Sequence, residues 1–361
     1  MKRAISYSPV QTPGAFFATF ALLLLCDLCG KKIKPQSAQR FYTKKRREDK
    51  RKIFYFFIPL SLFFSSCGNN GKPTFTDTPT SGEITVACDE SYQPIMEVEA
   101  DTFMGLYKYA RVHVKYRPEA QVFNELLNND SIRFAVVSRE LNSKEKEAFD
   151  RRKLIPRTVK IAVDAVALVV HNSNTDTLIR YEQLKDIFSG KTATWKQLGA
   201  GNSNDSIRIV FDRNGSSNTR FLQEKFLGDA PFPKNTYATN SNAAVMDYVS
   251  QNKNALGVIS VNWISDRDDP SMNEFLTRVK VVALSPPDTS KDAGSYFGPY
   301  MAYIYLKQYP LIRDVYIINR EGRNGLGTGF AAFVAGDQGQ RLLKLMGMLP
   351  ATLPVRLIQI N

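Results

Sequence analysis

The sequence predicts an α/β protein built as two lobes, and three observations carry that expectation. From Glu83 onward, β-rich runs alternate with stretches of helical apolar spacing, the order that gives a mostly parallel sheet covered by helices. One β-rich run, "RTVKIAVDAVALVVH" (Arg157–His171), is too long for one strand of an ordinary single sheet and is placed to cross between lobes. A second α/β unit follows it, and β and α material then returns, as in a chain that leaves one lobe, builds another and comes back. The length of 361 residues suits two sizeable cores.

Taken in order, "EITVAC" reads as a strand and "PIMEVEADTFMGLYKYA" as a helix with proline in its first turn. "RVHVKYR" alternates as a strand, "PEAQVFNELLNND" is helical, and "IRFAVVS" is a strand. "SKEKEAFDRR" is a helix, and Asn142 and Glu145 have capping-box spacing at its start. After the long run come the helix "YEQLKDIFSG", the strand "SIRIVF", the helices "NTRFLQEKFL" and "NAAVMDYVSQNK", and the strands "ALGVISV" and "RVKVVAL". "YFGPYMAYIYL" then returns β material, "AGDQGQRLLKLMGML" returns a helix, and "PVRLIQI" closes the chain. The expected organisation is a leader at 1–67, a flexible tether at 68–82 and a body at 83–361. Lobe 1 takes about 83–163 plus 285–361, and lobe 2 about 164–284.

The net charge of +13 is concentrated before the body. Residues 1–67 hold 13 Lys and Arg against 3 Asp and Glu; the rest hold 35 against 32. The body therefore has no electrostatic footprint for nucleic acid. Within the leader, a basic stretch precedes an apolar run of 12 residues (53–64), too short to span a bilayer but suited to a signal-peptide core. It ends in Phe64-Ser65-Ser66-Cys67, which resembles a bacterial lipobox, although Phe64 stands where leucine is usual. The resemblance implies cleavage before Cys67, lipid on its sulfur, and a protein anchored to a membrane of a bacterial cell envelope, facing the periplasm or the outer surface. A second apolar run at 15–25 lies too far upstream for such a signal, so translation is expected to start later than Met1, or the leader is a long one. "GNNGKPTFTDTPTSGE" after Cys67 is the composition of a flexible tether.

Cys26 and Cys29 form a lone CxxC without the framework that a zinc or redox site needs, and Cys88 reads as a buried thiol in a strand. His113 and His171 lie in unrelated patterns and read as strand-end or surface residues. No nucleophile elbow with Ser-His-Asp order, no HExxH and no Walker loop is present, so neither catalysis nor a metal or cofactor is expected.

Ligands of open α/β sheets sit at the carboxyl ends of strands, beside helix N-termini. Three such junctions are rich in hydrogen-bonding groups: Ser91 and Tyr92 after "EITVAC", Ser138 and Arg139 after "IRFAVV", and "RNGSSNT" after "SIRIVF". The last holds Arg213, Ser216, Ser217, Asn218 and Thr219. Free N–H groups, hydroxyls and a forked cation together describe a cage for a small tetrahedral oxyanion. Each piece also has a plainer reading: the serines as helix caps, Arg139 as a solvated charge, Arg213 as a partner of Asp212 or Glu224.

The stretch "KIAVDAVALVVHNSNTDTLIRYEQLKDIFSGKTATWKQLG", the loop "IRIVFDRNGSSNTRFL", "NALGVIS" and the ending "GDQGQRLLKLMGMLPATLPVRLIQI" resemble the substrate-binding lipoproteins of phosphate ABC transporters, the PstS-type phosphate-binding proteins. The similarity runs along most of 83–360. It implies a two-lobed type II periplasmic-binding-protein fold with a ligand cleft between lobes, phosphate or a similar oxyanion as ligand, an ABC permease as partner, and a monomer. Arg213, Ser217 and Thr219 match the family loop, while Ser216 and Asn218 replace its glycines and Gly215 its Asp or Glu. Ser91 or Tyr92 falls near the first-lobe loop that grips the anion, and Ser138-Arg139 matches a Ser-Asp or Ser-Arg position. A further Gly-Ser-Gly loop is replaced by "YRPEAQ" (116–121). Glu119, Asp89 and Glu90 are the candidates for the missing carboxylate. The departures keep a second expectation open: a surface or sensory lipoprotein of the same fold whose altered cleft takes another ligand or none.

Overall fold

The computed structural model describes residues 76–199, 205–265 and 270–352. The chain divides into two units, 1–70 and 71–361. The first, with the expected leader, the CxxC and Cys67, lies outside the described residues, as do 71–75 of the tether and the closing segment 354–360. Among the described residues no helix is long and apolar enough to cross a membrane.

The second unit opens with β1 (Gly82–Asp89), α1 (Gln93–Leu106), β2 (Ala110–Arg117), α2 (Glu119–Asn128), β3 (Ile132–Val137) and α3 (Ser143–Arg151). β1 pairs in parallel with both β2 and β3, as strand–helix–strand crossovers dictate. Asn142 and Glu145 close a reciprocal capping box at the start of α3.

β4 (Arg157–His171) is a single strand of 15 residues serving two neighbourhoods. Its first half pairs antiparallel with β11 (Ile312–Asn319), and residues 166–170 pair antiparallel with β8 (Ala255–Ser260). Around the second half lie β5 (Leu178–Ile179), α4 (Tyr181–Phe188), β6 (Arg208–Phe211), α5 (Ser217–Leu222) continuing as a π turn (Gln223–Leu227), β7 (Thr236–Ala238) and α6 (Asn242–Gln251). α7 (Pro270–Arg278), β9 (Val279–Val281) and β10 (Ala283–Leu284) complete it. β6 runs parallel to β7 and β8.

The mostly parallel sheet expected from the alternation is therefore parallel only toward its outer strands. The main sheet runs β2-β1-β3-β11-β4-β8-β6-β7. At its centre β4 and β11 carry the chain between the two halves, and their pairings with β3, with each other and with β8 are antiparallel. One β expectation is corrected: within "YFGPYMAYIYL", Met301–Tyr305 is a short helix, α8, bounded by Gly298-Pro299 and Pro310. The strand of this region is β11, followed by α9 (Leu326–Ala335), α10 (Asp337–Leu345) and β12 (Leu349–Pro350).

Two sets of buried side chains flank this sheet. One gathers Ile84, Val86, Phe103, Phe134, Ile317 and Phe330, with a satellite around Phe123 and Phe149. The other gathers Leu168, Val170, Phe188, Ile209, Phe211 and Leu256. Complete burial of Ala165 through Val170 explains why this half of β4 reads as a continuous apolar run rather than an alternation. Cys88 is buried and unpaired, and its Sγ donates to the Asp89 carbonyl. His113 bonds Glu83 at an exposed position on β2, and His171 bonds Ser173 at the end of β4.

Candidate functional site

The polar junctions at the carboxyl ends of the neighbouring parallel strands β1 and β3 meet the junction that follows β6. After β1, a 3₁₀ turn (Glu90–Tyr92) forms because the Asp89 carboxylate accepts the Ser91 N–H. Ser91 is fully buried, and its hydroxyl lies 3.1 Å from that of Ser217 at the start of α5. The Ser91 carbonyl accepts from Asn262 Nδ2 (2.7 Å) and Trp263 Nε1 (3.1 Å). Tyr92 is wholly buried under the Arg313 guanidinium, and its hydroxyl has no hydrogen-bond partner.

The loop "RNGSSNT" divides its labour. Ser216 caps α5: its Oγ accepts the Thr219 N–H at 3.2 Å and donates to Asp212 Oδ1 at 2.5 Å. Thr219 Oγ1 donates to the Arg213 carbonyl. Asn218 turns inward, giving Nδ2 to Asp212 Oδ2 (3.1 Å) and Asn242 Oδ1 (3.3 Å) while its own Oδ1 is buried without a partner. Ser217 presents its hydroxyl to Ser91 of the facing lobe and is itself buried. Arg213 is 43% exposed and pairs with Glu90 at 3.2 Å, so it is a rim residue rather than a buried anion clamp, and neither Asp212 nor Glu224 is its partner. Gly215 sits at φ 75°, which only glycine adopts without strain. Its carbonyl accepts the Ala120 N–H at 3.0 Å.

The third junction splits. Ser138 is buried, and its N–H and Oγ both donate to Glu119 Oε1, at 2.7 and 2.8 Å. Arg139 points elsewhere, forming two 2.8 Å bonds to Glu145 and stacking 3.6 Å from the Phe123 ring centre. It braces the start of α3 and does not join the other site residues.

Two arginines that the sequence reading left aside occupy the places expected of Arg139 and Arg213. Arg220, one turn into α5, donates from Nε to Glu119 Oε2 (2.5 Å) and from Nη2 to Ser138 Oγ (2.7 Å). Arg313, on β11, is buried; it gives Nε and Nη2 to Asp164 Oδ2 and Nη1 to Ser217 Oγ at 3.0 Å. Asp164 faces it directly across the β11–β4 register and accepts two further contacts from Ser260 Oγ. Arg220 had a local signal, a cation in the first turn after a cap in a strand-to-helix loop. Arg313 had none, because its partners lie 149 and 96 residues away in the chain.

Of the three candidate carboxylates, Glu90 is engaged by the Asn242 N–H and Arg213, and Glu119 by Ser138 and Arg220. Asp89 alone keeps a buried oxygen, Oδ2, without a partner. Burial and then the nearby Glu119 charge push its carboxyl well up, against the pull of Arg313. Burial opposes the charge of Glu119 too, but Arg220 and the Ser138 donors outweigh it and hold that group below its usual range. No group of His, Cys, Asp and Glu among the described residues is arranged to hold a metal ion.

Known proteins resemble this chain at low identity. The chain is 24% identical over 290 residues to a phosphate-binding protein PstS of Staphylococcus epidermidis, covering 78% of this chain and 82% of that one. To the PstS of Staphylococcus saprophyticus it is 26% identical, covering 78% and 84%. A putative phosphate ABC transporter substrate-binding protein from Clostridium perfringens, solved with bound phosphate, superposes with a TM-score of 0.61 at 21% identity over 75% of this chain and all of that one. An ABC-type phosphate transport receptor from Vibrio cholerae gives 0.55 at 22%, covering 74% and 100%. The fold is that of a type II periplasmic binding protein. The profile described as "PBP superfamily domain" matches residues 73–338, and the chain belongs to that superfamily.

Proposed function

We propose that this chain is a solute-binding protein that takes a small oxyanion, phosphate first, between its lobes and presents it to an ABC permease. It acts as a monomer, without catalysis, from a lipid anchor at Cys67 in a bacterial cell envelope. The observation that carries the reading is the buried meeting of Ser91, Ser217 and Arg313, with the unpartnered Asp89 Oδ2 among the charges around it. Two hydroxyls, a guanidinium and a carboxyl able to share a proton are the complement of a tetrahedral oxyanion. The names of the similar proteins single out phosphate among such ions. Titration calorimetry of the detergent-solubilised full chain with phosphate, sulfate and molybdate tests this. One-to-one binding led by phosphate is expected; no binding at millimolar concentration of any of the three would sink the capture role.

One observation favours the second reading, an altered cleft. The Ser138 and Arg220 donors already hold a carboxylate of the protein itself. Retention of every closing contact with no oxyanion bound would favour it.

A further inference from the structure

Three features around Glu119 belong together. Its carboxylate is buried and receives a backbone N–H, a hydroxyl and a guanidinium, from β3's end on one side and α5 on the other. That is the donor set a small oxyanion requires. Arg220 also donates to the Ser138 hydroxyl, so the donors are tied into one ring around the carboxylate. Next to Glu119, the Ala120 N–H donates to the Gly215 carbonyl, and a Cβ on Gly215 would stand 3.3 Å from that of Ala120. The segment "YRPEAQ" and Gly215 are thus two halves of a single contact, and that contact seats Glu119.

We infer that Glu119 is a tethered internal anion occupying part of the oxyanion site, so that capture proceeds by exchange of its carboxylate for the incoming anion on Ser138 and Arg220. The inference rests on the oxyanion reading above and adds to it a residue that sets affinity. A ligand competing with an attached group binds only the fraction of molecules in which that group has left, and its apparent affinity falls by that fraction. Attachment gives Glu119 a high effective concentration at the donors. The exchange is therefore a threshold: anions much weaker than phosphate fail to displace it.

The test compares the full chain with Glu119→Ala and Glu119→Gln by calorimetry, using phosphate, sulfate and formate. Both variants should bind phosphate more tightly, Glu119→Ala by about tenfold or more (1.4 kcal/mol). Formate should compete with phosphate in Glu119→Ala alone, where it refills the donors. The Gln variant keeps the volume and loses the charge, so its gain in phosphate affinity tests the inference if the Ala variant does not fold. Unchanged or weaker phosphate binding in the variants, with binding intact in the native chain, overturns the inference and leaves the oxyanion reading standing. Formate binding to Glu119→Ala, with no oxyanion bound by any of the three proteins, sustains the internal anion and overturns phosphate capture. No binding of any probe to any protein overturns both.

Discussion

Arg139–Glu145 and Arg313–Asp164 are both two-bond guanidinium–carboxylate pairs with closest contacts of 2.8 Å. The first stands beside a helix start with a quarter of the arginine side chain in solvent. The second lies at the shared centre of the sheet, with side chains 3% and 0% exposed, and passes a third bond across to Ser217. Length alone does not separate them; burial and the third partner do. Water can replace a partner lost from the first pair. In the second, a removed partner leaves a charge with nowhere to go.

Removing Arg313 should therefore give the largest effect. Arg313→Ala leaves Asp164 in the interior with only Ser260 and its own backbone surroundings, and a stability loss of about 3–5 kcal/mol is expected in urea denaturation. Phosphate binding should be lost as well, since Ser217 loses its cationic donor. A loss no greater than that of Arg139→Ala would break the distinction between the pairs.

A buried carboxylate with no arginine at all sharpens the same point. Glu99, on α1, is fully buried and neither oxygen has a hydrogen-bond partner. Burial raises its carboxyl from 4.5 to about 8. The unfolded chain releases this proton as pH passes 4.5, while the folded chain keeps it until about 8. Its contribution to stability is thus full below pH 4.5 and is lost as pH rises toward 8. Glu99→Gln should flatten the decline of stability over that window, gaining on the order of 3 kcal/mol at pH 8 relative to its effect at pH 4.5. Urea midpoints at the two pH values check it; an unaltered slope would show that Glu99 reaches solvent. Asp89 and Asp212, also raised by burial, leave part of the slope in place.

The contrast between the pairs also explains what could be read from the chain. The loop at 211–219 was legible because small polar residues between an apolar strand and a helix have few uses other than capping and anion contact. Its division of labour was not, because Ser216 and Ser217 differ only in which way one helical turn points them. β4 announced itself by length and unbroken apolarity. β11 did not: "IRDVYIIN" carries Arg313 and Asp314 near its start, and their tolerance in a sheet depends on Asp164 and Lys160 on another strand. Sequence patterns are local, and the clamp joins Ser91, Ser217 and Arg313 from three distant segments. Arg139 stood out because it follows a strand end next to a serine. Its real partner, Glu145, was legible as a capping residue and takes the arginine for that reason.

At the junction of the lobes, Ser217→Ala tests whether the hydroxyl matters to the fold or to the ligand. It removes the acceptor of Arg313 Nη1 and the neighbour of the Ser91 hydroxyl. One buried hydrogen bond to a charged group is worth about 1.5–3 kcal/mol. Phosphate affinity should fall by that amount while the urea midpoint moves less, because Arg313 keeps both bonds to Asp164. An equal fall in stability with affinity unchanged would make Ser217 a packing residue.

The smallest effect should come from Arg139, one of the nine residues that the sequence offered as ligand contacts. Arg139→Ala takes two bonds from Glu145 and a cation from the face of Phe123. Glu145 keeps the Asn142 N–H, so the capping box survives, and its released oxygen can be solvated. The expected cost is about 1 kcal/mol of stability, within the range of partly exposed pairs and stacked cations. Phosphate affinity should not change, since the Glu119, Ser138 and Arg220 ring closes without Arg139. A tenfold loss of affinity would mean that Arg139 leaves Glu145 to reach the ligand, and the two pairs would then differ in timing rather than in kind.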